Sequence, residues 1–86
     1  MGFNESKDEV LDSRLAIEDE RTRIIVQLCR YDRGEVKVQL KRENRTKEGW
    51  TFAKLGRMTP VEFVESMPVG LELLEKHGLL DQAVRS

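Results

Sequence analysis

RIIVQLCRY (residues 23–31) is rich in β-branched and apolar residues, and EVKVQLKRE (35–43) alternates cleanly between apolar and polar, which predicts two strands. The residues between them decide the register. A two-residue turn would set Gln27 against Leu40 and Leu28 against Gln39, mixing apolar with polar across each pair. A three-residue turn, Asp32-Arg33-Gly34, with Gly34 in the left-handed position of a bulge, pairs Leu28 with Val38 and Val26 with Leu40 instead. Ile24, Val26, Leu28, Val36, Val38 and Leu40 then share the core face. Arg23, Ile25, Gln27, Cys29, Tyr31, Lys37, Gln39 and Lys41 share the other.

A polar connection, ENRTKEG, leads to a third alternating stretch, WTFAKL (50–55), in which Trp50, Phe52 and Lys54 interleave with Thr51, Ala53 and Leu55. Either set can face the core. Large aromatics favour burial of Trp50 and Phe52; the alternative keeps them beside Lys37 and Lys41 as platforms for stacked bases.

The period then changes. In MTPVEF, Thr59 is placed to cap a helix, Pro60 takes its first position and Glu62 completes a capping box. Phe63, Val64, Met67, Leu71 and Leu74 follow at three- and four-residue spacing as one apolar stripe, with Glu62, Glu65, Glu72 and Glu75 on other faces. Pro68 removes one helical hydrogen bond and predicts a kink or break near Ser66 and Met67. Gly78 follows Lys76 and His77 as a stop, and LLDQAVRS adds a short apolar contact before fraying. Residues 1–20 carry only a weak helical spacing in Val10, Leu11, Leu15 and Ala16, and read as a flexible acidic arm with a short helix or extra strand at RLAIED. Such an arm could lie across a basic sheet.

The expected fold is therefore α+β: an antiparallel β-meander of three to four strands followed by a C-terminal helix packed on one face, forming one domain over residues 21–86 behind the arm. So small a sheet under one helix buries little apolar area, while Leu73, Leu74, Leu79, Leu80 and Val84 offer more than one face can cover. Dimerisation through the helix is the expected remedy, and leucines folded back on the helix of a monomer are the alternative.

The formal net charge of −1 hides a segregation. Residues 1–20 carry −5, residues 21–57 carry +7 and residues 58–86 carry −3. Clustered cations on a strand face are either solvated edge protection or a surface for a polyanion. Catalytic chemistry is harder to find. Gly34, Gly49 and Gly56 are isolated turn residues rather than a phosphate loop. The only cysteine, Cys29, and the only histidine, His77, make neither a nucleophilic pair nor a metal set, so no enzyme, metal, cofactor or small-molecule substrate is expected. Cys29 reads as a packing residue or idle thiol, His77 as a helix-end cation, and Glu62 with Glu65 as part of a solvated helix face. The absence of an apolar span or signal peptide predicts a cytoplasmic protein, nucleoid-associated in a prokaryote or nuclear in a eukaryote. MGFNES fits the Met-Gly-x-x-x-Ser pattern for N-myristoylation, a pattern short enough to recur by chance, and an unmodified start is expected.

In order, the strand RIIVQLCRY, the turn glycine Gly34, the strand VKVQLKRE, the basic connection RTKEGW and the segment KLGRMTPVEF, which opens a helix with Pro, an acidic residue and an aromatic, resemble the positive-cofactor-four family of transcriptional coactivators and single-stranded-DNA-binding proteins. The resemblance covers about residues 21–78. It implies a dimer through the C-terminal helices and a curved sheet holding single-stranded or melted DNA, with Lys37, Lys41, Arg45, Lys47, Trp50, Lys54 and Arg57 along the DNA path. This chain departs from the pattern in a shortened region between Trp50 and Thr59 and in Pro68.

The expected function is non-enzymatic binding of single-stranded DNA, or RNA, in transcription, replication or repair. Lys37, Lys41, Arg45, Lys47, Lys54 and Arg57 would contact phosphate, and Trp50, Phe52 and Tyr31 would stack on bases. The alternative is a protein-interaction module or regulatory subunit that binds through a strand edge or the C-terminal leucines.

Overall fold

A computed structural model describes residues 7–85; the candidate myristoylation motif at residues 1–6 lies outside them. Strands β1 (Asp8–Glu18), β2 (Thr22–Tyr31), β3 (Lys37–Thr46) and β4 (Gly49–Ala53) form one antiparallel sheet in that order. Helices α1 (Pro60–Lys76) and α2 (Leu80–Arg85) follow, with α1 against β1 and β2.

The segment expected to be a flexible arm is mostly the edge strand β1, which takes in most of RLAIED, where an extra strand is one of the two expectations. Its register against β2 slips at two bulges, between Val10 and Asp12 and between Leu15 and Ile17. Each bulge inserts an extra residue and breaks the two-residue period, so Asp12, Arg14 and Ile17 lie on the helix side while Val10, Ser13 and Leu15 lie on the other. That double shift conceals the strand from any search for alternation. At the β1-β2 turn, Asp19 Oδ1 accepts from the backbone N–H of Arg21 and Thr22 at 2.8 and 2.9 Å.

The β2-β3 register is the expected one, with Val26 opposite Leu40 and Leu28 opposite Val38. The turn chemistry differs. Asp32 and Arg33 hold the positive φ angles, 49° and 60°, and the Gly34 N–H donates to the Tyr31 carbonyl at 2.8 Å. Two central residues of positive φ are the mark of a type I′ turn, and three residues, Gly34 to Val36, intervene before β3 begins. The connection expected over ENRTKEG also shrinks, because β3 runs on to Thr46 and turns through Lys47 and Glu48 alone. Thr46 Oγ1 closes this hairpin by donating to the Gly49 carbonyl at 2.9 Å.

Helix α1 opens with the predicted capping box: the Thr59 side chain accepts from the Glu62 N–H, and the Glu62 carboxylate accepts from the Thr59 N–H. It ends as expected around Gly78 (φ 70°), where the Gly78 N–H reaches the Glu75 carbonyl and the Leu79 N–H reaches the Leu74 carbonyl, the two bonds of a Schellman motif. The helix does not break at Pro68; it continues to Lys76.

Its orientation is the largest departure. Glu62, Ser66 and Leu73 are the buried positions, and Gly70 sits above Val26, whereas Phe63 and Val64 remain 55% and 64% exposed and Met67 and Leu71 about half exposed. Four residues of the apolar stripe, Phe63, Val64, Met67 and Leu71, face away from the sheet, while Leu74 packs against the core. The inward face uses small residues at 66 and 70, which bring the helix close to the strands; the Ser66 hydroxyl has no hydrogen-bond partner among the described residues. Ile24, Val26, Leu28 and Leu73 are fully buried, with Ala16, Val36, Leu40, Val69, Leu74 and Leu79 packed around the cluster.

Docking is fixed by Arg42. Its guanidinium grips the Glu62 carboxylate in two-pronged fashion at 2.8 and 3.0 Å, and its other donors reach Thr22 Oγ1 and the carbonyls of Leu55 and Arg57. The side chains of Arg42 and Glu62 are 13% and 11% exposed. At the far end of the helix, Asp12 accepts from Lys76 Nζ at 2.9 Å and lies 2.8 Å from His77 Nε2, while Arg14 meets Glu72 at 2.6 Å. His77 thus faces β1 besides standing at a helix end.

Arg42 holds the Glu62 carboxyl below the usual carboxylate range, and His77, then Lys76, do the same for Asp12. A depressed carboxyl pKa stabilises the fold at neutral pH, an effect lost as pH falls through the folded value. Urea midpoints should therefore be flat near neutrality and decline below a pH of about 4. Glu62→Ala leaves Arg42 buried and unpaired, and should cost about 3 kcal/mol in urea denaturation at neutral pH and flatten part of the acid decline. An unchanged midpoint would show that the pair does not hold the helix.

Candidate nucleic-acid interface

The face of the sheet opposite the helix is open. The registers place on it Ser13 and Leu15 from β1, Arg23, Ile25, Gln27 and Cys29 from β2, and Lys37, Gln39, Lys41, Glu43 and Arg45 from β3. Trp50 lies opposite Arg45, and Phe52 opposite Glu43, so both aromatics belong to this face. Phe52 is 75% exposed.

Trp50 is half-buried beneath cations: the Arg23 and Arg45 guanidinium carbons lie 4.3 and 4.7 Å from the ring centroid. This distance is within the range of cation–π attraction. Glu43 fastens the arrangement, meeting Arg23 at 2.6 Å and Lys41 at 3.1 Å. Arg23 holds the Glu43 carboxyl below its ordinary range, with Lys41 adding to the effect. Toward the middle of the face, Gln39 Nε2 donates to Gln27 Oε1 at 3.2 Å, forming a line of amides across the strands. From Lys37 to Arg45 the face runs ~27 Å at about 3.4 Å per residue.

Of the residues selected from the sequence, Lys37, Lys41, Arg45, Trp50 and Phe52 come together here. Lys54 joins them, lining a groove of about 300 Å³ with Gln39, Lys41 and Phe52. Lys47 stands at the hairpin tip, in a shallow groove shared with Trp50. Arg57 lies apart, in a cleft with Asp19, Arg42 and Glu62 on the helix side. Tyr31 lines a groove near the β2-β3 turn, at the opposite end of the sheet from Trp50. Sequence reasoning missed Arg23 and Glu43 as site residues, although the 23–43 pairing was implicit in the register. It also took Glu62 for a solvated carboxylate, which its buried bond to Arg42 corrects.

Among the described residues, Lys37, Arg45, Lys47, Lys54 and Arg57 make no ion pair within 4 Å. Burial pushes the Cys29 thiol up, with Asp8 adding to it, so the thiolate that would act as nucleophile is disfavoured. No group of three or more His, Cys, Asp and Glu side chains suited to a metal ion occurs among these residues, and no helix there is long and apolar enough to cross a membrane. Comparison with protein-family models, with curated proteins and with solved structures finds no match to this chain.

Glu43 is the acidic residue between Arg23 and Lys41. Glu43→Gln should free Lys41, leave Arg23 only its 3.5 Å contact with Glu18, and tighten binding of a single-stranded oligonucleotide several-fold at low salt, as measured by anisotropy. Weaker binding would mean that Glu43 positions the cations instead of masking them.

Proposed function

We propose that the open face binds single-stranded nucleic acid without catalysis, as a coactivator-like or replication and repair accessory protein. The observation that carries this reading is the placement of Trp50 and Phe52 on the open face among Lys37, Lys41 and Arg45. Sequence-tolerant single-strand binders combine a cationic groove with aromatic platforms in this way. Phe52 offers its ring to solvent, and a base stacking on Trp50 would exchange with a guanidinium that then becomes available to phosphate. The resemblance to the positive-cofactor-four family supports the same reading.

The second element of the proposal is a homodimer through α1. Phe63, Val64, Met67 and Leu71 form a stripe on the helix side turned from the sheet, and the protomer has only four fully buried apolar side chains among the described residues. A second copy offers an equally apolar surface, and a two-fold pairing leaves both open faces uncovered.

Anisotropy of a labelled oligonucleotide at low and physiological salt, with duplex DNA and RNA as competitors, tests the first element. Binding should prefer single strands, weaken steeply with salt and quench Trp50 emission. Lys37→Ala should weaken it and reduce the salt slope by about one, and Trp50→Ala should cost roughly 1–3 kcal/mol. Absence of binding at low salt would refute the reading. For the dimer, sedimentation should give twice the protomer mass, and Met67→Lys with Leu71→Lys should yield a folded monomer; a monomeric wild-type chain would refute it.

A further inference from the structure

A second surface lies at the sheet's edge and does not depend on the nucleic-acid reading. Strand β4 covers only part of β3: pairing begins at Arg42 opposite Ala53, so among the described residues Lys37 to Lys41 have β2 on one side and no strand on the other. The Arg45 N–H bonds the Arg21 carbonyl, which sets the alternation along β3. Residues 37, 39 and 41 direct their backbone groups to β2, and Val38 and Leu40 direct theirs outward.

A groove of about 300 Å³ follows this edge, bordered by Gln39, Leu40, Lys41, Phe52 and Lys54; a second, of about 560 Å³, shares Gln39 and crosses the β2-β3 turn end of the sheet from Asp8 and Tyr31 to Lys37 and Val38. Val38 is 41% exposed. An incoming strand would meet Val38 and Leu40 on the helix side and Lys37, Gln39 and Lys41 on the open side. Among the described residues Lys37 and Lys54 have no ion pair, Lys41 is held by Glu43 at 3.1 Å, and Asp8 and Glu35 line only the larger groove. Cations at an edge usually repel strand addition by another basic strand, and by the same charge they favour an acidic one.

We infer that the Lys37–Lys41 edge of β3 receives an extended partner peptide, continuing the line of β4, in which acidic residues opposite Lys41 and Lys37 alternate with β-branched apolar residues opposite Leu40 and Val38. Main-chain hydrogen bonds at Val38 and Leu40 provide the pairing, and the alternation supplies the specificity.

The test uses the blocked peptide Glu-Val-Thr-Val-Glu with 15N-labelled full-length protein. In the free protein the amides of Val38 and Leu40 should exchange faster than those of Gln39 and Lys41. The peptide should shift the resonances of this edge and slow exchange at Val38 and Leu40, whereas its backbone N-methylated form should not bind. Val38→Pro removes only an outward N–H, so circular dichroism and oligonucleotide binding should persist while peptide binding is lost. Equal binding of the N-methylated peptide, or of Lys-Val-Thr-Val-Lys, would overturn the inference. So would protection of Val38 and Leu40 in the free protein that grows with its concentration, which would give the edge to a second copy. Loss of oligonucleotide binding alone would bear on the open face and leave the edge standing.

Discussion

The bond between Arg42 and Glu62 sets the geometry of the molecule. All five guanidinium donors of Arg42 are engaged, by the helix start, the first residue of β2 and two carbonyls of the segment joining β4 to α1. A buried ion pair contributes modest net stability, but removing either partner is costly, because the survivor is left charged in a dry site. Its larger effect is on orientation. With Glu62 turned inward, a period of 3.6 residues brings Ser66, Gly70 and Leu73 inward as well and sends Phe63, Val64, Met67 and Leu71 outward. The same guanidinium draws Leu55 and Arg57 toward the helix side, where β4 has already ended at Ala53, and the outer edge of β3 is left open.

A thin molecule results. The radius of gyration, 14.2 Å, exceeds the roughly 12 Å expected of a compact chain of this length, as suits one helix on one sheet with both outer surfaces uncovered. Those surfaces differ in kind. The outer helix face is apolar, whereas the open sheet face combines aromatics with cations.

Charge is distributed to match. The acidic residues of β1 are largely engaged: Asp12 with Lys76 and His77, Glu9 with Arg30, Glu18 with Arg23. Glu62 and Glu72 of α1 are bound to Arg42 and Arg14. Among the described residues seven cations of the middle segment, Arg21, Arg33, Lys37, Arg45, Lys47, Lys54 and Arg57, make no ion pair, so a chain of net charge −1 presents a locally positive surface. Exposed pairs of this sort add little to stability individually; their consequence is where the remaining charge is left.

The sequence alone determined the features that depend on neighbouring residues. Alternation and side-chain sorting identified β2, β3 and their register, and Thr59, Pro60 and Glu62 identified the helix start, because capping and pleating are local. The antiparallel meander with a helix on one face followed from these. Tertiary structure decided the rest. Two bulges in β1 broke the alternation that would have revealed the strand's full length beyond RLAIED, and only pairing with β2 holds it. Trp50 and Phe52 had two admissible faces until the hairpin at Lys47 and Glu48 fixed them opposite Arg45 and Glu43. The helix stripe was legible, but its direction was not: apolar residues point inward only when nothing else dictates the helix phase, and here the contact between Arg42 and Glu62, twenty residues apart in the chain, dictates it.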